Sequence, residues 1–514
     1  MPFPLRCLAM ALFVASCMSI AYAAPPDIGQ IDRLAARVQK EFNVPGIGIG
    51  IVQDGHVVLA RGYGVQDGPG SPPVDARTLF GIGSNTKAFT AAGLGVLVDD
   101  GKLHWNDRME DVLPGFQLAD PWLTREFRVS DLLTHHSGMG LGAGDLLLFS
   151  RSNFARAELL PRLRDMPFTG RFRQDYAYNN LLYSIAGVTI EHVSHDSWEH
   201  FIQSRIIDAA GMPRCTTQSP TRPEPGFVTG HSVEDGVLRA TKIDPLIAAA
   251  PAGGIVCSID GMNVWMRLLL AGGVAPNGQR ILSEKTRDDL WTPHALLDVP
   301  DNAVMTGTHF RAYGYGWFLE DFHGAKRVWH TGTVSGMVSL TSMLPEAHAG
   351  VVVLTNQEDH AATQSLALSI SEMLLGDKPN DWVKYYRDRE NRDQARPKPQ
   401  FRFVTLDPAE QHAFVGTYRD AWRGDLIVAQ DTGGLRLTFS RADGLTGRLQ
   451  PLPHDLFVVR WDNRAMDGSD DSYVQFHRDT SGKVTDMTLR VVDHDFSFDV
   501  QDMHPIRVEA PDRK

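Results

Sequence analysis

The sequence predicts an α/β (α+β) sandwich with a helical lobe, followed by a small antiparallel β-barrel. Three observations predict it. Strand-like runs lie at both ends of residues 30–375 with mostly helical sequence between them, so one sheet must be assembled from distant pieces and covered by helices. The run from Ala88 to Asp100 is apolar almost all round, as a helix buried on every side must be. Beyond Gly376 the text changes to short alternating strands separated by Asp/Gly turns, the pattern of a small barrel. At 514 residues, 43% hydrophobic and 22% charged, the chain is long enough for one large domain and one smaller one. The boundaries read as 1–23 for an export signal, 24–376 for sandwich and lobe, 377–405 for a linker and 406–514 for the barrel.

In chain order, Arg6 gives a short positive start, Cys7 to Ile20 is an apolar run too short to span a bilayer, and Ala21-Tyr22-Ala23 is a small-x-small cleavage site. Inside it, Val14-Ala15-Ser16-Cys17 offers a rival, lipidation at Cys17. Either route leaves a periplasmic or secreted chain without a transmembrane segment. Gly46 to Val52, the turn Asp54-Gly55 and His56 to Ala60 form a β-hairpin. Gly101 closes the apolar helix as its C-cap. Residues 128–271 read as mostly helical. Tyr313 to Trp317, Arg327 to His330, Met337 to Leu344 and Val351 to Asn356 read as strands, and Ala361 to Leu375 as an amphipathic helix. The charged linker ends in Arg396-Pro397-Lys398-Pro399 and has room for a short helix from Trp382 to Asn391. Barrel strands are expected at Phe414–Tyr418, Asp425–Ala429, Leu435–Phe439, Leu456–Trp461, Tyr473–Arg478, Val484–Val491 and Phe496–Val500. Cys215 and Cys257 survive signal cleavage; two buried small hydrophobes are the default, and an oxidising compartment permits a bridge.

The chemistry is concentrated at Ser84 and Lys87. A serine at the first turn of a buried helix has its Oγ near unpaired backbone N–H groups, and a residue three places on lies on the same face. Serine is a poor nucleophile until a neighbour takes its proton, and a desolvated amine can do so. Alone, Ser-x-x-Lys also fits an N-cap serine beside a solvated lysine. Context decides between them.

Residues 30–375 resemble the serine β-lactamase and penicillin-binding protein superfamily, in the branch similar to class C β-lactamases, with D-aminopeptidase, D,D-peptidase and esterase relatives. Three motifs carry the resemblance in order. They are Ser84-x-x-Lys87 within Phe80-Gly81-Ile82-Gly83, Tyr178-Asn179-Asn180 followed by Tyr183 and Ala186-Gly187, and His330-Thr331-Gly332. Leu132 to Gly138 and Pro251-Ala252-Gly253-Gly254 are accessory matches. The resemblance implies Ser84 as nucleophile, Lys87 and Tyr178 as the proton-moving pair with the base between them open, and Asn180 as the group that holds substrate and orients Lys87. It also implies His330, Thr331 and Gly332 as a substrate-binding strand, with an oxyanion site made of the Ser84 and Thr333 backbone N–H groups. Tyr176 is an out-of-register rival to Tyr178, but only Tyr178 has Asn180 two residues on. His330 stands where the family has Lys-Thr-Gly or His-x-Gly, and histidine in place of lysine weakens recognition of a substrate carboxylate. The terminal barrel resembles the small lipocalin-like domains appended to many relatives.

The net charge of −12 argues against nucleic acid as a partner. The nineteen histidines lack zinc-site spacing, so neither metal nor cofactor is expected. The expected partner is a small-molecule or short peptide substrate, including cell-wall fragments. The expectation is therefore an exported serine hydrolase for amide or ester bonds, of D-amino-acid peptides or of simpler esters. The alternatives are a class C-like β-lactamase, or a penicillin-binding sensor of peptidoglycan with little turnover.

Overall fold

An eight-stranded antiparallel sheet forms the frame of the larger part of the chain, in the spatial order His56–Gly64, Gly46–Gln53, Ala349–Thr355, Met337–Leu344, Ala325–Val334, Phe318–Phe322, Arg311–Tyr313, Ala295–Leu297. The structure is a computed structural model that describes residues 25–508 apart from 235, 398, 464–470 and 493–498. The export signal read at 1–23 lies outside the described residues. The first hairpin turns at Asp54 and Gly55, with φ of 50° and 76°, the left-handed pair that a two-residue connection requires.

Alternation in Gly46–Gln53 explains how the sheet is sandwiched. Ile47, Ile49 and Ile51 enter one apolar layer with the helices Ile28–Phe42 and His360–Leu374. Gly48 and Gly50 face the other side, where an added Cβ would lie 2.8 Å from Ile259 and 2.4 Å from Asn263. The helix Ile259–Leu270 therefore sits directly on the glycine backbone. The helix Thr86–Asp99 is buried nearly throughout, and Phe89 stacks on Trp265 at 4.1 Å between centroids. It ends as expected, with Gly101 at φ 69° and Lys102 N–H returned to the Leu97 carbonyl.

Several expectations need correction. Residues 128–271 hold helices at Asn180–Ser194, Trp198–Ile202 and Ile259–Leu270, but much of the rest is 3-10 turns, loops and short strands. The helix His360–Leu374 is not amphipathic: it is buried almost all round, between the sheet and the helices on its outer side. One of those is Trp382–Gln394, longer than the short helix expected there, whose fully buried Trp382 donates from Nε1 to Glu372 at 2.8 Å. Cys215 and Cys257 face each other across paired strands and are joined as a disulfide.

The C-terminal part is a closed eight-stranded antiparallel barrel. Two of its strands, Thr446–Pro451 and Ile506–Arg507, carried no signal in the sequence. The strand expected at Phe496–Val500 is replaced, in its described part, by a 3-10 turn at Asp499–Asp502. Phe414, Tyr418, Phe457 and Phe476 fill the barrel interior with ring centroids 4.9–5.6 Å apart. Barrel and lobe share one apolar cluster, in which Phe154 of the lobe joins Trp422, Phe439 and Ala442. The seam is also polar: Asn153 N–H donates to the Arg441 carbonyl at 3.2 Å, and Arg441 pairs with Glu158 at 2.7 Å. Among the described residues no helix is long and apolar enough to cross a membrane.

Candidate active site

Ser84 sits in a 3-10 turn, Gly83–Asn85, that leads into the buried helix. Gly83 has φ 49°, and a Cβ there would lie 2.5 Å from the Thr333 backbone nitrogen. Reciprocally, a Cβ on Gly332 would lie 2.0 Å from the Ile82 carbonyl oxygen and 2.6 Å from the Ser84 nitrogen. Glycine at both places lets the strand Ala325–Val334 run against the Ser84 turn, so the Ser84 and Thr333 amides belong to adjoining backbone. The turn is pinned from below by Ser339, whose Oγ donates to the Ile82 carbonyl at 2.6 Å and accepts from Asn85 Nδ2 at 2.7 Å.

Lys87 is fully buried beneath Ser84. Its Nζ lies 2.9 Å from Ser84 Oγ, 2.6 Å from Asn180 Oδ1 and 3.0 Å from the Ala252 carbonyl oxygen. Burial disfavours the ammonium, and despite the opposing attraction of Asp145 the amine is brought down to about 7. Once neutral, it can give its two N–H bonds to Asn180 and Ala252 and point its lone pair at the Ser84 hydroxyl. That arrangement can take the serine proton.

Asn179 caps the helix Asn180–Ser194 by accepting the Leu182 N–H at 2.8 Å, which sets Tyr178 and Asn180 on either side of the cap. The Tyr178 ring centroid is 4.8 Å from Lys87 Nζ. Burial raises the Tyr178 phenol well above its ordinary range, although a hydrogen bond with Ser84 opposes this. Tyr178 is therefore a neutral phenol at physiological pH. The structure thus brings Ser84, Lys87, Tyr178 and Asn180 together. Tyr176 stays apart: it is buried in an aromatic cluster with His135 and Tyr313.

Residues 31–371 match the family described as Beta-lactamase. The chain belongs to that family. Residues 403–505 match a second description, a domain of unknown function, DUF3471. Among curated relatives, the chain is 26% identical over 390 residues to Unguisins hydrolase ungD of Aspergillus violaceofuscus, covering 70% of this chain and 67% of that protein. It is 28% identical over 337 residues to Penicillin-binding protein 4 of Amycolatopsis lactamdurans, covering 62% and 82%. Its fold resembles that of the octameric penicillin-binding protein homologue from Pyrococcus abyssi, with a TM-score of 0.60, 23% identity and coverage of 94% and 100%. The chain is a serine hydrolase of the Beta-lactamase family.

Within this Beta-lactamase-family site, His330 departs furthest from a cation. It is buried, its Nδ1 lies 2.5 Å from the Thr331 carbonyl, and its Nε2 lies 2.9 Å from the Tyr313 hydroxyl. A carbonyl can only accept, so Nδ1 carries the proton and Nε2 accepts from Tyr313. Burial and the Lys87 charge push its pKa down to about 3. The imidazole is neutral, with both nitrogens engaged. Thr331 and Thr333 remain half-buried on the strand, and Thr333 Oγ1 meets His360 Nε2 at 2.9 Å.

Sequence reasoning missed several supports. His135, within the accessory match Leu132 to Gly138, accepts the Asn179 N–H on Nδ1 at 3.0 Å and lies 4.2 Å from the Tyr178 ring. Asp145 accepts from the Asn180 side-chain amide, whose nitrogen lies 3.0 and 3.2 Å from the two carboxylate oxygens. Nothing in the local sequence marks Asp145, because its partner lies on another element. The Pro251-Ala252-Gly253-Gly254 match could have pointed to Ala252, whose carbonyl holds Lys87.

Proposed function

We propose that the protein is an exported hydrolase that cleaves amide or ester bonds through an acyl-enzyme on Ser84, acting on substrates without a carboxylate beside the scissile bond. The carrying observation is the buried Lys87 amine, 2.9 Å from Ser84 Oγ and titrating near 7. On this reading Ser84 Oγ attacks the acyl carbon as its proton passes to Lys87. The oxyanion is held by the Ser84 and Thr333 backbone N–H groups. Lys87 and the Tyr178 phenol then return the proton to the leaving amine or alkoxide, and an acyl ester remains on Ser84. Water, deprotonated by the same pair, releases the acid. Asn180 fixes Lys87 and receives the substrate amide beside Thr331.

The neutral His330 supports short peptides with a free amine or without a nearby ionised group, D-amino-acid peptides included, and small esters. It speaks against the carboxylate grip expected of a β-lactamase or a carboxypeptidase. The hydrolase named among the relatives supports turnover over a sensor that acylates and stops. Export by residues 1–23 belongs to this reading, as do a hydrolase domain at 24–376, a linker at 377–405 and a lipocalin-like barrel at 406–514.

The test offers a short-chain p-nitrophenyl ester, nitrocefin and a D-alanyl p-nitroanilide in parallel, with intact-mass detection. Turnover of the ester or anilide, a transient adduct on Ser84 and loss of both in Ser84→Ala are expected. A stable nitrocefin adduct without turnover of any probe would sink the reading.

A further inference from the structure

A buried string of polar groups runs from the nucleophile into the barrel. Lys87 donates to Asn180, and the Asn180 side-chain amide donates to the Asp145 carboxylate. The turn that carries Asp145 is gripped on both sides by one side chain: Gly144 N–H donates to Asp499 Oδ2 at 2.6 Å and Leu146 N–H to Asp499 Oδ1 at 3.2 Å. Asp499 belongs to the barrel and is 0% exposed. Gly144 has φ 88°, the left-handed region that glycine enters without a side-chain clash. Behind Asp499 lies Arg423, also fully buried, whose three guanidinium nitrogens have no hydrogen-bond partner among the described residues. Asp499 is the acid that most supports its charge. A carboxylate that only caps a turn is ordinarily left in water; burying this one, against a second acid and ahead of an unpaired guanidinium, is costly unless it holds something.

We propose that Asp499 is a positioning residue of the hydrolytic site: from the barrel it fixes the Gly144–Leu146 turn, so that Asp145 keeps Asn180 against Lys87. The barrel is then part of the frame of the site. This rests on the reading of Ser84 as nucleophile and Lys87 as its base. The charged and titratable groups facing the Asp145–Asp499 pair are Lys87, Tyr178, Asp502 and Arg423. Burial, and after it the neighbouring Asp499, raise the Asp145 pKa, and an ionised Asp145 holds the proton on Lys87.

The full chain is phosphonylated with a fluorophosphonate probe, and the rate of labelling at Ser84 is followed by intact mass from pH 5 to 9, with Ser84→Ala as the blank. Asp499→Ala, which frees the turn, should label on the order of tenfold to a hundredfold more slowly at pH 7. Asp499→Asn keeps shape and one acceptor, so most of the rate should return. Its acid limb should move to higher pH, because Asp145, relieved of a neighbouring charge, ionises more readily and holds the Lys87 proton. Arg441→Ala cuts the seam to Glu158 without touching the turn, and should leave rate and limb unchanged. Should Asp499→Ala fail to fold, the limb of the Asn variant decides. Asp499 variants with the wild-type rate and limb overturn the proposal, as does an Arg441→Ala chain that falls as far as Asp499→Ala. A wild-type chain that is never labelled at Ser84 overturns the reading of Ser84 itself, and this proposal with it.

Discussion

In the proposed mechanism Lys87 becomes a base at neutral pH by the simplest route: it is removed from water and left with three acceptors, none of them a direct carboxylate partner. Asp145 raises its pKa only from behind Asn180, so desolvation prevails and the amine titrates near 7. The reactive form is the neutral one, so kcat/KM for a good ester should rise with pH through about 7 and then level off. His330, held down at about 3, should add no limb between pH 5 and 8, and a pH–rate profile with one acid limb in that range checks both statements. Tyr178 tests the division of labour. If its phenol relays the proton to the leaving group, Tyr178→Phe should lose about 10²–10⁴ in kcat with the acid limb in place, since the base is untouched. A limb that vanishes with the phenol would instead make Tyr178 the base.

At the scale of elements, the site is made where two pieces of backbone touch. The strand Ala325–Val334 approaches the Ser84 turn so closely that only glycine fits at 332. Gly332→Ala should push the strand away from the Ser84 nitrogen and lower kcat by about 10²–10³ while KM changes less, because the loss falls on the developing oxyanion. Gly278→Ala is the comparison, with φ 87° and open space around it: it should cost about 1 kcal/mol of stability and no activity. Ser84, Lys87, Tyr178, Asn180 and the strand at His330 were legible as candidates because short motifs carry them with fixed local geometry. Asp145, Asp499, Tyr313 and Ser339 were not, since each acts through a contact with a residue far along the chain and has no local signature. The hairpin at Asp54-Gly55 and the buried helix were legible from period and turn chemistry. Thr446–Pro451 was not, because Gly447, Arg448, Gln450 and Pro451 are poor strand formers that barrel closure overrides. His360–Leu374 was misread for a related reason: its Ser and Thr positions look solvent-facing, yet the sheet and the helices Ile28–Phe42 and Trp382–Gln394 cover them.

Across the whole molecule, two long-range ties have separable signatures. The Cys215–Cys257 bridge closes a loop over a sequence separation of 42, so reduction should cost about 3–4 kcal/mol and lower Tm in the full chain, measured with and without reductant. The barrel seam responds to pH instead. Burial raises Asp499 to about 7, with Asp502 adding to the rise and the Gly144 and Leu146 N–H groups opposing it. A carboxyl with a raised folded pKa binds its proton more tightly when folded, so its contribution is fully present below about pH 4 and is lost as pH climbs through 7. Glu158 at the same seam runs the other way: Arg441 lowers it to about 2, so its contribution is present above the ordinary carboxyl pKa and lost only on stronger acidification. That pair is part-exposed and screened by solvent, so its effect is the smaller of the two. Tm should therefore fall between about pH 4 and 7, and Asp499→Asn, which cannot titrate, should flatten that fall while Glu158→Gln leaves it in place. A wild-type Tm that is level across the interval, or a slope that Asp499→Asn does not change, would mean that the Asp499 carboxyl does not set the pH response of the seam, which its apolar contacts around Phe154 and Trp422 and the Arg441–Glu158 pair then hold.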